Sequence, residues 1–109
     1  MITLTDIERN EYRNVWVIAE LLSGEIQPVT HELIGAARSL ADARNSEVWA
    51  VVLGSGIGSS AESLYAYGAD AVIVVDDCRL NGFQDEVEAR VLVRLIKKYK
   101  PEVVICGAT

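Results

Sequence analysis

The residues best suited to chemistry are a glycine-serine run, Gly54-Ser55-Gly56-Ile57-Gly58-Ser59, and an acid about 20 residues further on, Asp76. The run falls between an apolar strand pattern and a short helical pattern. Glycines at such a point let backbone amides approach a phosphate, and the start of a helix favours negative charge. Asp76 ends the next strand pattern, where a dinucleotide fold places its ribose-binding acid. Two departures weaken this reading. Ser59 replaces the third glycine of the fingerprint, and the run follows the second strand rather than the first. A tight turn that leads into a short helix explains the same residues without a ligand.

Glu20 ends the first strand pattern, beside the expected switch point between first and fourth strands, and is a candidate ligand or partner contact. Gly107 and Thr109 end the last strand pattern at the same edge. The candidate binding set is therefore Glu20, Gly54, Ser55, Gly56, Asp76, Gly107 and Thr109. Asp76-Asp77 also reads as the solvated end of a strand, and His31 as a surface residue in the first turn of a helix. Cys106 reads as an inert buried thiol, and Trp16 and Trp49 as core. With one histidine and no Cys-x-x-Cys pair, a metal site or a Cys/His nucleophile is poorly supplied. No Ser/His/Asp set, paired catalytic carboxylates or P-loop lysine is visible, so no catalytic residues are expected.

These residues need a scaffold. Asn14 to Ala19, Val48 to Leu53, Ala71 to Val75 and Val103 to Cys106 are apolar runs without period-two alternation, as strands buried on both faces require. Leu21 to Val29, with Gly24 and Pro28, reads as a long loop or small hairpin. A first helix is expected from an N-cap at Thr30, with Glu32 in its first turn and an inward stripe of Leu33, Ala36, Ala37, Leu40 and Ala41. Ser60 to Tyr67 reads as a short helix with Gly68 just past its end. A loop with Asn81-Gly82 leads to a long helix capped by Asp85 and stopped by Pro101, with an inward stripe of Ala89, Leu92, Val93, Ile96 and Tyr99. Residues 1–12 read as an N-terminal extension with at most one helical turn, and 13–109 as a single domain.

The series is βαβαβαβ, which predicts an α/β, Rossmann-like open parallel sheet of at least four strands, with right-handed crossovers and helices on both faces. In the common order 3-2-1-4 the first two helices cover one face and only the third covers the other. Trp49, Val51, Val52, Ile73 and Val75 then call for more chain or a partner subunit. Half of the 109 residues are apolar and the net charge is −6, which excludes disorder and disfavours nucleic acid and anionic membranes. Lys97, Lys98 and Lys100 offset a helix dipole. With no signal-peptide or membrane-spanning pattern, the expected location is the cytoplasm.

Several segments, in order, resemble the electron transfer flavoprotein α subunit: Val15 to Glu20, Gly24 to Thr30, Glu32 to Arg38, Val51 to Gly56, Tyr67 to Val72, and Lys100 to Val104 followed by Gly107-Ala108-Thr109. The Arg13-Asn14-Val15-Trp16 start is similar to α subunits of anaerobes, some of which take part in electron bifurcation. In that family the subunit continues with a Ser-x-Gly-Arg-Asp turn and a C-terminal domain that holds FAD. The resemblance therefore implies the N-terminal domain of a longer subunit, with no flavin of its own and with the flavin positions absent. It would dock the β subunit and serve an intact protein that carries electrons from an acyl-CoA or other dehydrogenase through FAD to a redox partner. In a eukaryote it would lie in the mitochondrial matrix. The alternative is a free-standing nucleotide-binding module of the universal-stress or adenine-nucleotide-hydrolase-like type, holding a mononucleotide with Glu20, Gly54, Gly56 and Gly107.

Overall fold

The computed structural model describes residues 12–22, 24–57, 61–80 and 85–107. Four parallel strands make the main sheet: β1 (Val15–Ile18), β4 (Val48–Gly54), β5 (Ala71–Asp76) and β6 (Val103–Cys106), ordered β5-β4-β1-β6. In order along the chain these are the third, second, first and fourth of the long strands. The register places Val15 beside both Val48 and Val103, and Gly54 beside Asp76. Between β1 and the first helix, β2 (Leu21–Leu22) and β3 (Glu25–Ile26) form a small antiparallel hairpin. Its turn needs Gly24, whose φ is +79°.

Helix α1 (Pro28–Ala43) starts two residues before the expected cap. Pro28 occupies the first turn with its φ already fixed for a helix, and Gln27 is the extended residue before it. Thr30 therefore caps nothing. It is fully buried, and its hydroxyl oxygen accepts from the Glu20 N–H at 2.9 Å. Glu32 lies beyond the first turn, which carries no acid. The buried stripe is Thr30, Ile34, Ala37 and Ala41, while Ala36 faces outward. This stripe meets Val15, Val17, Val48, Ala50 and Val52 from one face of the sheet, and together they are the main core.

Helix α2 (Ser63–Ala66) is shorter than expected. It adds Leu64 to the same core and ends at Gly68, whose φ of +117° suits the position after the cap. Behind it, Arg38 of α1 donates to Gly68 O at 3.1 Å, Ser46 O at 3.3 Å and Asp70 Oδ2 at 2.6 Å. The same Asp70 oxygen accepts the Val48 N–H at 2.8 Å. One guanidinium thus ties α1, the turn before β4 and the turn before β5.

Helix α3 (Asp85–Tyr99) covers the second face thinly. Its half-buried residues include Val87, Val91, Leu92, Leu95 and Ile96, and none is fully buried. The inward stripe is rotated from the expected one, with Ala89 and Val93 outward. At the helix end Tyr99 meets Trp16 and Trp49, with ring centroids 6.3 and 5.6 Å away, and the two indoles stack at 6.4 Å. Trp16 is fully buried and Trp49 half-buried. Further along this face Ile73 and Val75 are half-buried, and Val104 and Cys106 are exposed. Cys106 is therefore not a buried thiol: it sits on a strand with no described neighbour beyond it, on the face α3 leaves bare.

Candidate functional site

The carboxyl ends of the parallel strands bring Glu20, Gly54, Asp76 and Gly107 to one edge of the sheet, where an open α/β fold binds its ligands. Side chains of this chain lie across that edge. A Cβ placed on Gly54 would meet Leu21 Cδ1 at 3.0 Å and Ile57 Cγ2 at 3.1 Å, so the hairpin and the glycine turn close over the end of β4. A Cβ on Gly107 would meet Glu20 Oε2 at 3.0 Å, so the Glu20 carboxylate lies over the end of β6, with Val29 of α1 close by. The Glu20 backbone is fixed from both sides, its N–H donating to Thr30 Oγ1 and its carbonyl accepting the Gln27 N–H.

The glycine turn and Asp76 do meet, by a contact that the fingerprint does not anticipate. Asp76 Oδ1 accepts the Gly56 N–H at 2.8 Å and Oδ2 the Ile57 N–H at 3.1 Å. The amides that would cradle a phosphate already hold a carboxylate. Ser55 is exposed beside them, and Gly56 has a φ of +68°. Asp77 is turned away, its carboxylate gripped by the Arg79 side chain at 3.0 and 2.8 Å and by the Arg79 N–H at 2.9 Å. Those bonds hold its carboxyl below the usual carboxylate range. Asp76-Asp77 is thus the end of a strand with each acid partnered locally, rather than simply solvated. Gly58, Ser59, Asn81, Gly82 and Thr109 lie outside the described residues, as does the extension at residues 1–11.

His31 differs from its expected surface position. Its ring stacks on Tyr67 with centroids 3.7 Å apart, and its Nε2 is buried with no partner among the described residues. Among those residues no group of three or more His, Cys, Asp or Glu could hold a metal ion, and no helix is long and apolar enough to cross a membrane. Leu21, which packs at the end of β4, and Thr30, which holds the Glu20 backbone, were not binding candidates from sequence. The sequence marks them only as a loop or hairpin residue and a helix cap, and their role depends on where the hairpin folds back.

Gly54→Ala places a methyl where Leu21 and Ile57 already pack and is expected to cost about 1–2 kcal/mol. Urea unfolding checks this, and Leu21→Ala in the same chain should recover part of the loss.

The electron transfer flavoprotein domain family matches residues 15–109. The electron transfer flavoprotein subunit alpha of Thermoanaerobacterium thermosaccharolyticum is 39% identical over 100 residues, covering 92% of this chain and 30% of that protein. Subunit LctC of the lactate dehydrogenase (NAD(+),ferredoxin) of Acetobacterium woodii is 41% identical over 103 residues, covering 94% and 25%. The acryloyl-CoA reductase electron transfer subunit beta of Anaerotignum propionicum is 38% identical over 100 residues, covering 92% and 27%. The chain spans less than a third of the length of each of these relatives.

Proposed function

Because this chain belongs to the electron transfer flavoprotein domain family, we propose that it is the scaffold and docking domain of an electron-carrying flavoprotein subunit. It corresponds to the N-terminal domain of a longer α-type subunit, with FAD held elsewhere in the assembly. The intact protein passes electrons from a dehydrogenase to a redox partner, and this domain contributes position rather than chemistry. Its partner is the β subunit, and its compartment the cytoplasm. Relatives named as subunits of a lactate dehydrogenase and an acryloyl-CoA reductase support a role beside dehydrogenases.

The observation that carries this reading is the closed edge. Leu21 and Ile57 fill the space over Gly54, Glu20 lies over Gly107, and Asp76 takes the amides of Gly56 and Ile57. These contacts support a reading without a flavin at this edge: among the described residues, an isoalloxazine or a pyrophosphate would have to displace a packed leucine or compete with a bound carboxylate. The half-bare second face, with Val104 and Cys106 exposed, is the surface suited to covering by further protein.

The purified chain is expected to be colourless and to show no micromolar binding of AMP, ATP, NAD or FAD by calorimetric titration. A stoichiometric flavin spectrum, or micromolar binding of any of these, would replace this reading with that of a free-standing nucleotide-binding module.

A further inference from the structure

We propose that Asp76 is an autoinhibitory stopper: its carboxylate occupies a latent phosphate-binding turn, and the turn takes a phosphate group once that carboxylate is removed. Two successive backbone N–H groups, from Gly56 and Ile57, converge on the two oxygens of one carboxylate. Successive backbone amides in a turn can form a concave anion site, and the turn here bends at Gly56, whose φ is +68°. A carboxylate matches the charge and acceptor geometry of part of a phosphate group.

The turn does not depend on the stopper for its shape. The backbone pairs Gly54 with Asp76, and the Asp77 N–H donates to Gly54 O at 2.9 Å. The Ile57 side chain is fully buried and anchors the far side. With the carboxylate gone, the two amides still point to the same place. Asp76 is exposed, and a Cβ on Gly56 would meet nothing within 4 Å among the described residues. The neighbouring acid adds little repulsion, because Asp77 is neutralised by its contact with Arg79.

This deepens the scaffold reading and rests on it for the silence of the wild-type chain. The test is a titration of the full chain with inorganic phosphate, followed by the amide resonances of Gly56 and Ile57, at constant ionic strength against chloride. The wild-type resonances are expected to stay in place. In Asp76→Ala both should move saturably, with phosphate affinity raised at least about tenfold by loss of the competing carboxylate and its repulsion. Should Asp76→Ala not fold, Asp76→Asn keeps one acceptor without the charge, and phosphate should then move the Ile57 amide. A folded variant whose two amides ignore phosphate overturns the stopper alone. Wild-type amides that respond as strongly as the variant's overturn it too. An AMP arm separates the two readings: micromolar AMP binding by wild type sinks the scaffold reading, whatever the variants do with phosphate.

Discussion

Trp16→Ala is expected to lower the unfolding free energy by about 3–5 kcal/mol, the range for deleting a fully buried tryptophan. Trp16 lies on β1, flanked in register by Trp49 of β4 and Val104 of β6. Its ring also meets Tyr99, at the end of α3. The variant therefore loses the indole burial, the stacking on Trp49 and the ring contact that fastens the least buried helix. Because none of the α3 residues whose burial is described is fully buried, the loss should be uneven. Hydrogen exchange should accelerate first in Val91 to Tyr99, ahead of α1. A loss of unfolding free energy below about 1 kcal/mol from urea titration, with uniform exchange, would refute the role given to this cluster. Trp16→Phe keeps an aromatic ring and should recover more than half of the loss.

Asp70→Ala is expected to cost about 2–3 kcal/mol at neutral pH. The estimate counts a lost charge-assisted bond to Arg38 and an unsatisfied N–H on the fully buried Val48, reduced for the partial exposure of the ion pair. Burial by itself would raise the Asp70 carboxyl. The hydrogen bonds from Val48 and Arg38 outweigh it and hold the carboxyl below its ordinary value. A depressed folded value means that the contribution is fully present above the unfolded carboxylate value of about 4 and fades as pH falls through the lower folded value. Wild type and Asp70→Ala should therefore differ at pH 7 and converge in acid. Asp70→Asn keeps an acceptor for Val48 and should lose about half as much. Urea titrations at two pH values decide the matter, and a pH-independent difference would remove the carboxylate from the explanation.

The strands were legible because continuous β-branched apolar runs mark them; Val48 to Leu53 is such a run in a mostly buried strand, while Ala71 to Val75 has the same pattern but is only half-buried, with Val74 exposed. Gly68 after α2 and Pro101 after α3 were legible for the same kind of reason: each punctuates the backbone locally. Details set by tertiary contacts were not. Thr30 has the chemistry of a cap, yet Pro28 starts the helix earlier and the Thr30 hydroxyl goes to the Glu20 N–H. The stripe of α3 differs from the expected one because Ala89 and Val93 are apolar on a helix whose inward face is only half-buried, so hydrophobicity alone does not fix its rotation. Cys106 was misplaced because an apolar strand residue reads as buried whether or not a neighbour exists to bury it. At the candidate site, the spacing brought Asp76 to the glycine turn but carried no sign that the acid would itself be the ligand.

The position of β1 has a further consequence, for the order of events in folding. β1 is the first described strand, and its two flanks are claimed by β4 and by β6, the last described strand. Val15 lies beside both Val48 and Val103. During synthesis the half built from β1, α1, β4 and β5 can assemble as soon as it leaves the ribosome. The other flank of β1 must wait, open and apolar, until nearly the whole described chain has been made. Closing so distant a pairing is slow for entropic reasons. Until β6 docks, the edge of β1 beside Trp16 would be unpaired, and an unpaired apolar edge is where mispairing competes with native docking.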